Sequence, residues 1–479
     1  MISPQIITIL RSLNEDETER LNDFIYSPFH NKSKTIHKFW EVLKTYYPEY
    51  DEKDMDQEEL YSKIFDGKKY NYGTMKNLIH TFSGLLESFL DVTYHLEDKF
   101  QVHYNELMFC IIKYYPDLFS RKYTIMRKDF DKISEGADNH YTFKYMLLRL
   151  VANFASLQSN IDNILFEQGD TLIHFFLIQL FQIHYNLKVF YTSKNLIKQN
   201  NVIETVLKSL DLKSILSNIK ESSPKDFKVV NLYYHMYLCT IQPENNEYFY
   251  AYKKLFFGSK KYLHVYEFEG LANTVINIYN NRSYLGVEGT LKETDEFFKE
   301  LIRLKVEFGT TDSKISIIHF SKNLKCFFEA GDIEYAQSFY EKYISRLIQK
   351  DKEPMLNYYT ANIYYYQKDY NKALEFANKI RPESDRFKIF IKEFQLRCYY
   401  ELEEAIQFNY TLKAFRLLIY RDTALNENRK EYTKNFLNTM NSLFDYKVFK
   451  KQKLDDIKIE IRKNKMINKE WILQKLSEI

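Results

Sequence analysis

Glycine and proline are scarce in this chain, 11 and 8 among 479 residues, where an average globular protein of that length holds about three times as many. Glycine supplies positive-φ turns, strand bulges and close approach of backbone to ligand; proline punctuates loops. A chain poor in both has little material for elaborate loops, and is expected to consist of helices joined by short polar turns. Catalytic groups concentrate on loops held by a rigid scaffold, so the same deficit argues against an enzyme.

Hydrophobic spacing agrees. In residues 1–100, Ser3-Pro4 opens one helix and the capping box Asn14-x-x-Glu17 a second, with Leu21, Phe24 and Ile25 on its apolar face. A third helix near Thr35–Tyr47 stops before Pro48, and Asp56-x-x-Glu59 caps a fourth. Met75, Leu78, Ile79, Phe82, Leu85, Leu86, Phe89 and Leu90 then recur at helical spacing along a long fifth. From 101 to 444 helices are expected to follow one another, with turns at Pro116, Gly136, Gly169, Ser222-Ser223-Pro224, Pro243, Gly258, Gly286, Gly309 and Gly331. Thr290-x-x-Glu293 forms another capping-box pattern. Strand-like alternation occurs at Ile457-Lys-Ile-Glu-Ile461, where it competes with a helix, and Asn468 is expected to cap a last helix carrying Trp471, Ile472 and Leu476.

The sequence carries little that does chemistry. Only Gly286 and Gly289 lie within three residues of each other, so no glycine-rich phosphate cradle is encoded. Cys110, Cys239, Cys326 and Cys398 are far apart in apolar stretches; buried free thiols suit a reducing compartment. His174 and His184 share one apolar helix but sit roughly 80° off a common face. No nucleophile elbow or metal-ligand spacing occurs, and no catalytic residue, cofactor or metal is expected. The stretch Leu172–Tyr185 is broken by His174, Gln179, Gln182 and His184, and a membrane span needs about 20 mostly apolar residues. A buried helix and a cytoplasmic protein without membrane attachment are therefore expected.

Sixty-eight basic residues against 65 acidic give a net charge of +3, too balanced for bulk attraction to nucleic acid. Two local features keep nucleic acid open as an alternative partner. The helix at 57–65, its turn and the following helix form a loose helix-turn-helix with Lys68, Lys69, Lys76, Asn77 and His80 near the start of the second helix. Residues 445–469 hold nine Lys/Arg against four Asp/Glu.

Internal similarity runs through 315–412. Gly331-Asp-Ile-Glu-Tyr-Ala336 superposes on Lys368-Asp-Tyr-Asn-Lys-Ala373, with a weaker third copy at Tyr400-Glu-Leu-Glu-Glu-Ala405. Each copy pairs a large residue on a first helix (Phe327, Tyr364, Leu396) with a tight turn and a small residue that lets a second helix approach. This segment resembles tetratricopeptide-type repeats. Residues 1–95 and the tail Asn468–Leu476 also resemble uncharacterised long helical proteins of Bacteroidetes-type bacteria, a likeness that implies no activity. The repeat resemblance implies a concave face built from first helices. In that register Tyr358, Asn362, Tyr365 and Tyr366 line the face, with Lys325 and Phe328 from the preceding hairpin and Arg397 from the next.

The chain is thus expected to be all-α: an N-terminal helical module (1–100), an α-α superhelix of helical hairpins (101–444) and a basic C-terminal segment (445–479). The expected function is a non-enzymatic scaffold that binds a peptide or protein on its concave face through these seven residues. The alternative is a transcriptional regulator joining a DNA-binding N-terminal module to a repeat sensor.

Overall fold

The computed structural model describes residues 3–51, 55–130, 140–154, 161–194, 201–306, 315–381, 385–423, 425–451 and 453–479. These residues form 24 α-helices, a 3-10 turn at Ile344–Arg346 and no strand. The turns expected at Gly136 and Gly309 lie outside the described residues.

Two compact units are delineated. The first comprises residues 1–132 with 153–159, the second 133–152 with 160–479. The first therefore runs past residue 100. It contains α1 (Pro4–Ser12), α2 (Glu15–Tyr26), α3 (Lys34–Lys44), α4 (Gln57–Phe65), α5 (Tyr72–Glu97), α6 (Lys99–Ile112) and α7 (Pro116–Phe130). The Asn14–Glu17 capping box forms in full, each side chain taking the other residue's N–H at 2.8–2.9 Å. The core of this unit is aromatic: Phe39 meets Phe82 edge-on at 5.2 Å, and Trp40 stacks on Phe82 at 6.1 Å. Lys68, Lys69, Lys76, Asn77 and His80 are all exposed, on the α4–α5 turn and the first turns of α5.

The second unit begins with α8 (His140–Phe154) and α9 (Ile161–Lys194), followed by α10 (Val202–Ser209), α11 (Leu212–Ser222), α12 (Pro224–Ile241), α13 (Asn246–Ser259), α14 (Val265–Leu285) and α15 (Thr290–Arg303). Gly169 lies inside α9 instead of at a turn: the apolar pattern on either side carries the helix through it. α9 is only partly buried. Leu177, Phe181, His174 and His184 are inside, while Phe166, Ile173 and Phe176 face out. Among the described residues, 162–189 is one helical stretch long and apolar enough to cross a membrane by length and composition. The Thr290–Glu293 box does not form. Gly289 holds the cap position with φ +77°, Thr290 Oγ1 donates to the Val287 carbonyl, and Glu293 accepts from Tyr250.

Three hairpins follow: α16 (Ile317–Glu329) with α17 (Ile333–Tyr343), α18 (Gln349–Tyr366) with α19 (Tyr370–Lys379), and α20 (Asp385–Glu401) with α21 (Ala405–Arg421). One turn joins each pair. A left-handed residue sits at Gly331 (φ 81°), Lys368 (62°) or Glu403 (58°). The next N–H reaches back five residues to a helix carbonyl: Asp332 to Phe327, Asp369 to Tyr364 and Glu404 to Tyr399. This is the Schellman closure of a helix end. Asp332 and Asp369 then cap the second helices through their carboxylates, whereas Glu404 makes no cap bond.

Aligning the turns corrects the third copy. Ala336 and Ala373 each stand five residues past the left-handed residue and are fully buried, but the matching residue in the third hairpin is Phe408; Ala405 is only half-buried. Phe408 stacks on Phe444 at 3.9 Å. The third hairpin is thereby spaced to take α22 (Glu427–Phe449). The unit closes with α23 (Leu454–Lys463) and α24 (Lys469–Ser477). Residues 457–461 are helical, not extended: Ile457 and Ile461, one turn apart, are buried while Ile459 faces out.

Candidate functional site

The turn register also explains how the seven expected residues come together. Six residues before each turn stand Lys325, Asn362 and Arg397; three before stand Phe328, Tyr365 and Tyr400; two before stand Glu329, Tyr366 and Glu401. Equivalent positions on the first helices α16, α18 and α20 present one face. Lys325, Tyr358, Asn362, Tyr365, Tyr366 and Arg397 surround a single small void of about 20 Å³. Phe328 lies at its edge, stacked on Tyr366 at 5.6 Å.

This face is not open, as a groove would require. Phe328, Tyr358, Asn362 and Arg397 are buried. Two structural features close it. The first is a group of four charges. Lys325 Nζ lies 2.8 Å from Glu393 and 3.7 Å from Glu329, and Arg397 Nη2 lies 2.9 Å from each carboxylate. Burial pushes the Glu393 carboxyl up, but Lys325 and Arg397 outweigh it and hold the group well below the usual carboxylate range. Glu393 stands ten residues before its turn, where the other two hairpins have Ser321 and Tyr358; no motif in the sequence marks it as a member of the site. Within this group two cations balance two carboxylates.

The second feature is the tail. Trp471 of α24 donates from Nε1 to the Tyr365 hydroxyl at 3.4 Å, lies under the Arg397 guanidinium at 5.2 Å and meets Tyr400 edge-on at 5.4 Å. One turn on, Lys475 is buried and bonded to Glu401 at 2.6 Å and Glu478 at 2.8 Å. Asn468 does not cap α24 with its side chain; its Oδ1 takes a 3.5 Å bond from Lys325. The segment before α24 is pinned too: Met466 N–H donates to the Tyr284 carbonyl, and Ile467 N–H to that of Tyr432. A cleft of about 670 Å³ remains alongside α24, lined by Tyr365, Tyr366, Arg397, Glu401, Glu470 and Trp471 among others.

Glu470 is the one strongly shifted acid on this helix. Burial pushes its carboxyl up to about 7, aided by Glu329 and Glu288 and opposed by the Leu291 N–H that it accepts at 3.3 Å.

Elsewhere the four cysteines are free and buried. His174 lies 3.7 Å from Asp226 and burial lowers its pKa. Among the described residues no group of three or more His, Cys, Asp or Glu could hold a metal ion. Compared with known proteins, the chain matches no family model, no curated protein and no solved structure.

Proposed function

We propose that this chain is a non-enzymatic interaction scaffold of the tetratricopeptide type, whose first-helix face on α16, α18 and α20 accepts a helical segment, and that α24 occupies that seat in cis. The seating of α24 carries this reading. A helix bearing an aromatic residue and a lysine one turn apart is held by a tyrosine hydroxyl, a guanidinium and a carboxylate from successive hairpins. Aromatic anchors with polar tips and buried charge partners are the composition that dominates binding energy. Two identical turns and the buried Ala336 and Ala373 support the repeat assignment. A partner would present the same pattern and compete with the tail.

The test is displacement. A tethered tail competes at an effective concentration of about 1 mM, so a labelled peptide of residues 464–479 at about 1 µM binds only after the tail is weakened by about 4 kcal/mol. Trp471→Ala should cost about 3–5 kcal/mol. The expected result is that full-length Trp471→Ala binds the peptide by anisotropy, that wild type does not, and that adding Tyr365→Ala abolishes capture. A Trp471→Ala chain that remains helical by circular dichroism yet ignores the peptide overturns the proposal.

The alternative of DNA recognition through α4–α5 rests on the exposure of Lys68, Lys69 and Lys76. It requires duplex DNA binding that weakens steeply with salt and is lost when those three lysines become glutamate.

A further inference from the structure

A cavity of about 510 Å³ lies within the second unit among α9, α12, α14 and the first turns of α22. It is separate from the α24 seat, although the segment leading into α24 forms part of its rim through Lys465. The size is that of an ordinary small-molecule site.

Three things distinguish its wall. It carries the cations Arg429 and Lys465 and, among the described lining residues, no carboxylate, in a chain where acids are nearly as common as bases. It is also rich in amides: Asn277, Asn280, Asn281, Asn426 and Asn428. Asn277 donates to Tyr185 at 2.9 Å and Asn426 caps α22. Among the described residues Asn280, Asn281 and Asn428 make no side-chain hydrogen bond, which leaves three amides able both to donate and to accept. Finally, Tyr185, Tyr284 and Tyr432 supply aromatic surface beside Val189, Ile241 and Leu285.

The wall is also held in place. The Arg429 guanidinium lies 5.0 Å over the Tyr284 ring and its Nη1 donates to the Tyr284 hydroxyl. Tyr284 and Tyr432 rings sit 5.3 Å apart, and the backbone carbonyls of both are pinned by Met466 and Ile467. The Asn277–Tyr185 bond ties α14 to α9. Sites prepared this way lose little entropy on binding.

From this wall we infer that the cavity binds a nucleoside phosphate, either as a free nucleotide or as one nucleotide of a single strand. Lysine and arginine without carboxylate select an anion, and the guanidinium edge not turned to Tyr284 suits a phosphate. Free amides match the donor–acceptor edges of a base, and tyrosine faces stack with it. The absence of a glycine loop does not oppose this, because the donors here are side chains and not backbone N–H groups.

The experiment is calorimetric titration of the full chain with AMP, a six-nucleotide single-stranded DNA and inorganic phosphate. Lys465→Glu and Asn281→Asp are the variants, since both positions are exposed and neither change should alter the melting temperature. AMP or the oligonucleotide should bind in the micromolar range, weaken about tenfold or more in each variant, and bind well ahead of phosphate. Tighter AMP identifies a free nucleotide as the source of the ligand; a tighter oligonucleotide identifies a strand. No binding of either up to millimolar concentration, equal binding of bare phosphate, or affinity unchanged in both variants overturns the inference.

Discussion

Two glycines in the same backbone conformation should respond very differently to alanine. Gly331 (φ +81°) and Gly286 (φ +74°) both sit in left-handed turns, but a Cβ at Gly331 would meet nothing within 4 Å, whereas one at Gly286 would lie 2.9 Å from Lys469 Cδ. The left-handed region costs a non-glycine residue about 1–2 kcal/mol, and stiffening the unfolded chain returns about 0.4–1 kcal/mol. Gly331→Ala should therefore destabilise by only about 0.5–1 kcal/mol. Gly286→Ala carries the same term plus overpacking of about 1–3 kcal/mol, because the Lys469 stem is buried against it. Its total is about 1.5–4 kcal/mol. Urea titrations followed by circular dichroism measure both. Shortening the obstructing side chain isolates the contact: Lys469→Ala should return most of the difference in the Gly286→Ala background and none in the Gly331→Ala background, a coupling readable in a double-mutant cycle. Equal losses at the two glycines, or no coupling between 286 and 469, would refute the claim that the tail packs against the end of α14.

Lys368 is exposed and left-handed with φ 62°, so Lys368→Gly should raise stability by about 0.5–1 kcal/mol; a loss measured by the same titration contradicts the turn geometry. Ala373→Leu should overpack the fully buried α18–α19 contact and cost about 1–3 kcal/mol, and an unchanged melting temperature contradicts the register. Glu470, pushed up to about 7 mainly by burial, binds a proton more tightly in the folded chain than in the unfolded one. Its unfavourable contribution is absent below about pH 4.5, grows as pH rises through 7 and then stays constant. Glu470→Gln should accordingly stabilise by up to about 3 kcal/mol at pH 8 and by nothing near pH 4, and an equal effect at both pH values rules out the buried carboxylate.

Local signals read well from the sequence. The all-helical character followed from glycine scarcity and helical periodicity, and two of the three hairpins were placed to the residue because Asp332 and Asp369 cap helices beside small buried alanines. The third was misplaced by three residues: Ala405 matched the pattern, but packing against α22 had put Phe408 in the equivalent position. Ile457–Ile461 was ambiguous because period 2 and an i,i+4 pair share their end residues; burial of both ends decides for helix. The closed face could not be foreseen. Trp471 and Tyr365 are 106 residues apart, Lys325 and Glu393 are 68 apart, and no periodicity links them. The cavity was invisible for the same reason, its asparagines lying on two helices far apart in sequence.

The distance between Tyr365 and Trp471 has a consequence for the order of events during synthesis. At about 5–20 residues per second the 106 residues separating them take roughly 5–20 s to emerge. Helical hairpins form in far less time than that. Over the last 70 of those residues, from Glu401 at the end of α20 to Trp471, the α16–α18–α20 face is assembled but uncovered, with Arg397 and Tyr365 still lacking Trp471. If this face accepts a partner helix as proposed, a partner present at the ribosome would meet the seat before α24 exists to compete for it. A partner arriving later must displace a helix already in place, so the same two molecules would associate readily when made together and slowly when mixed after folding.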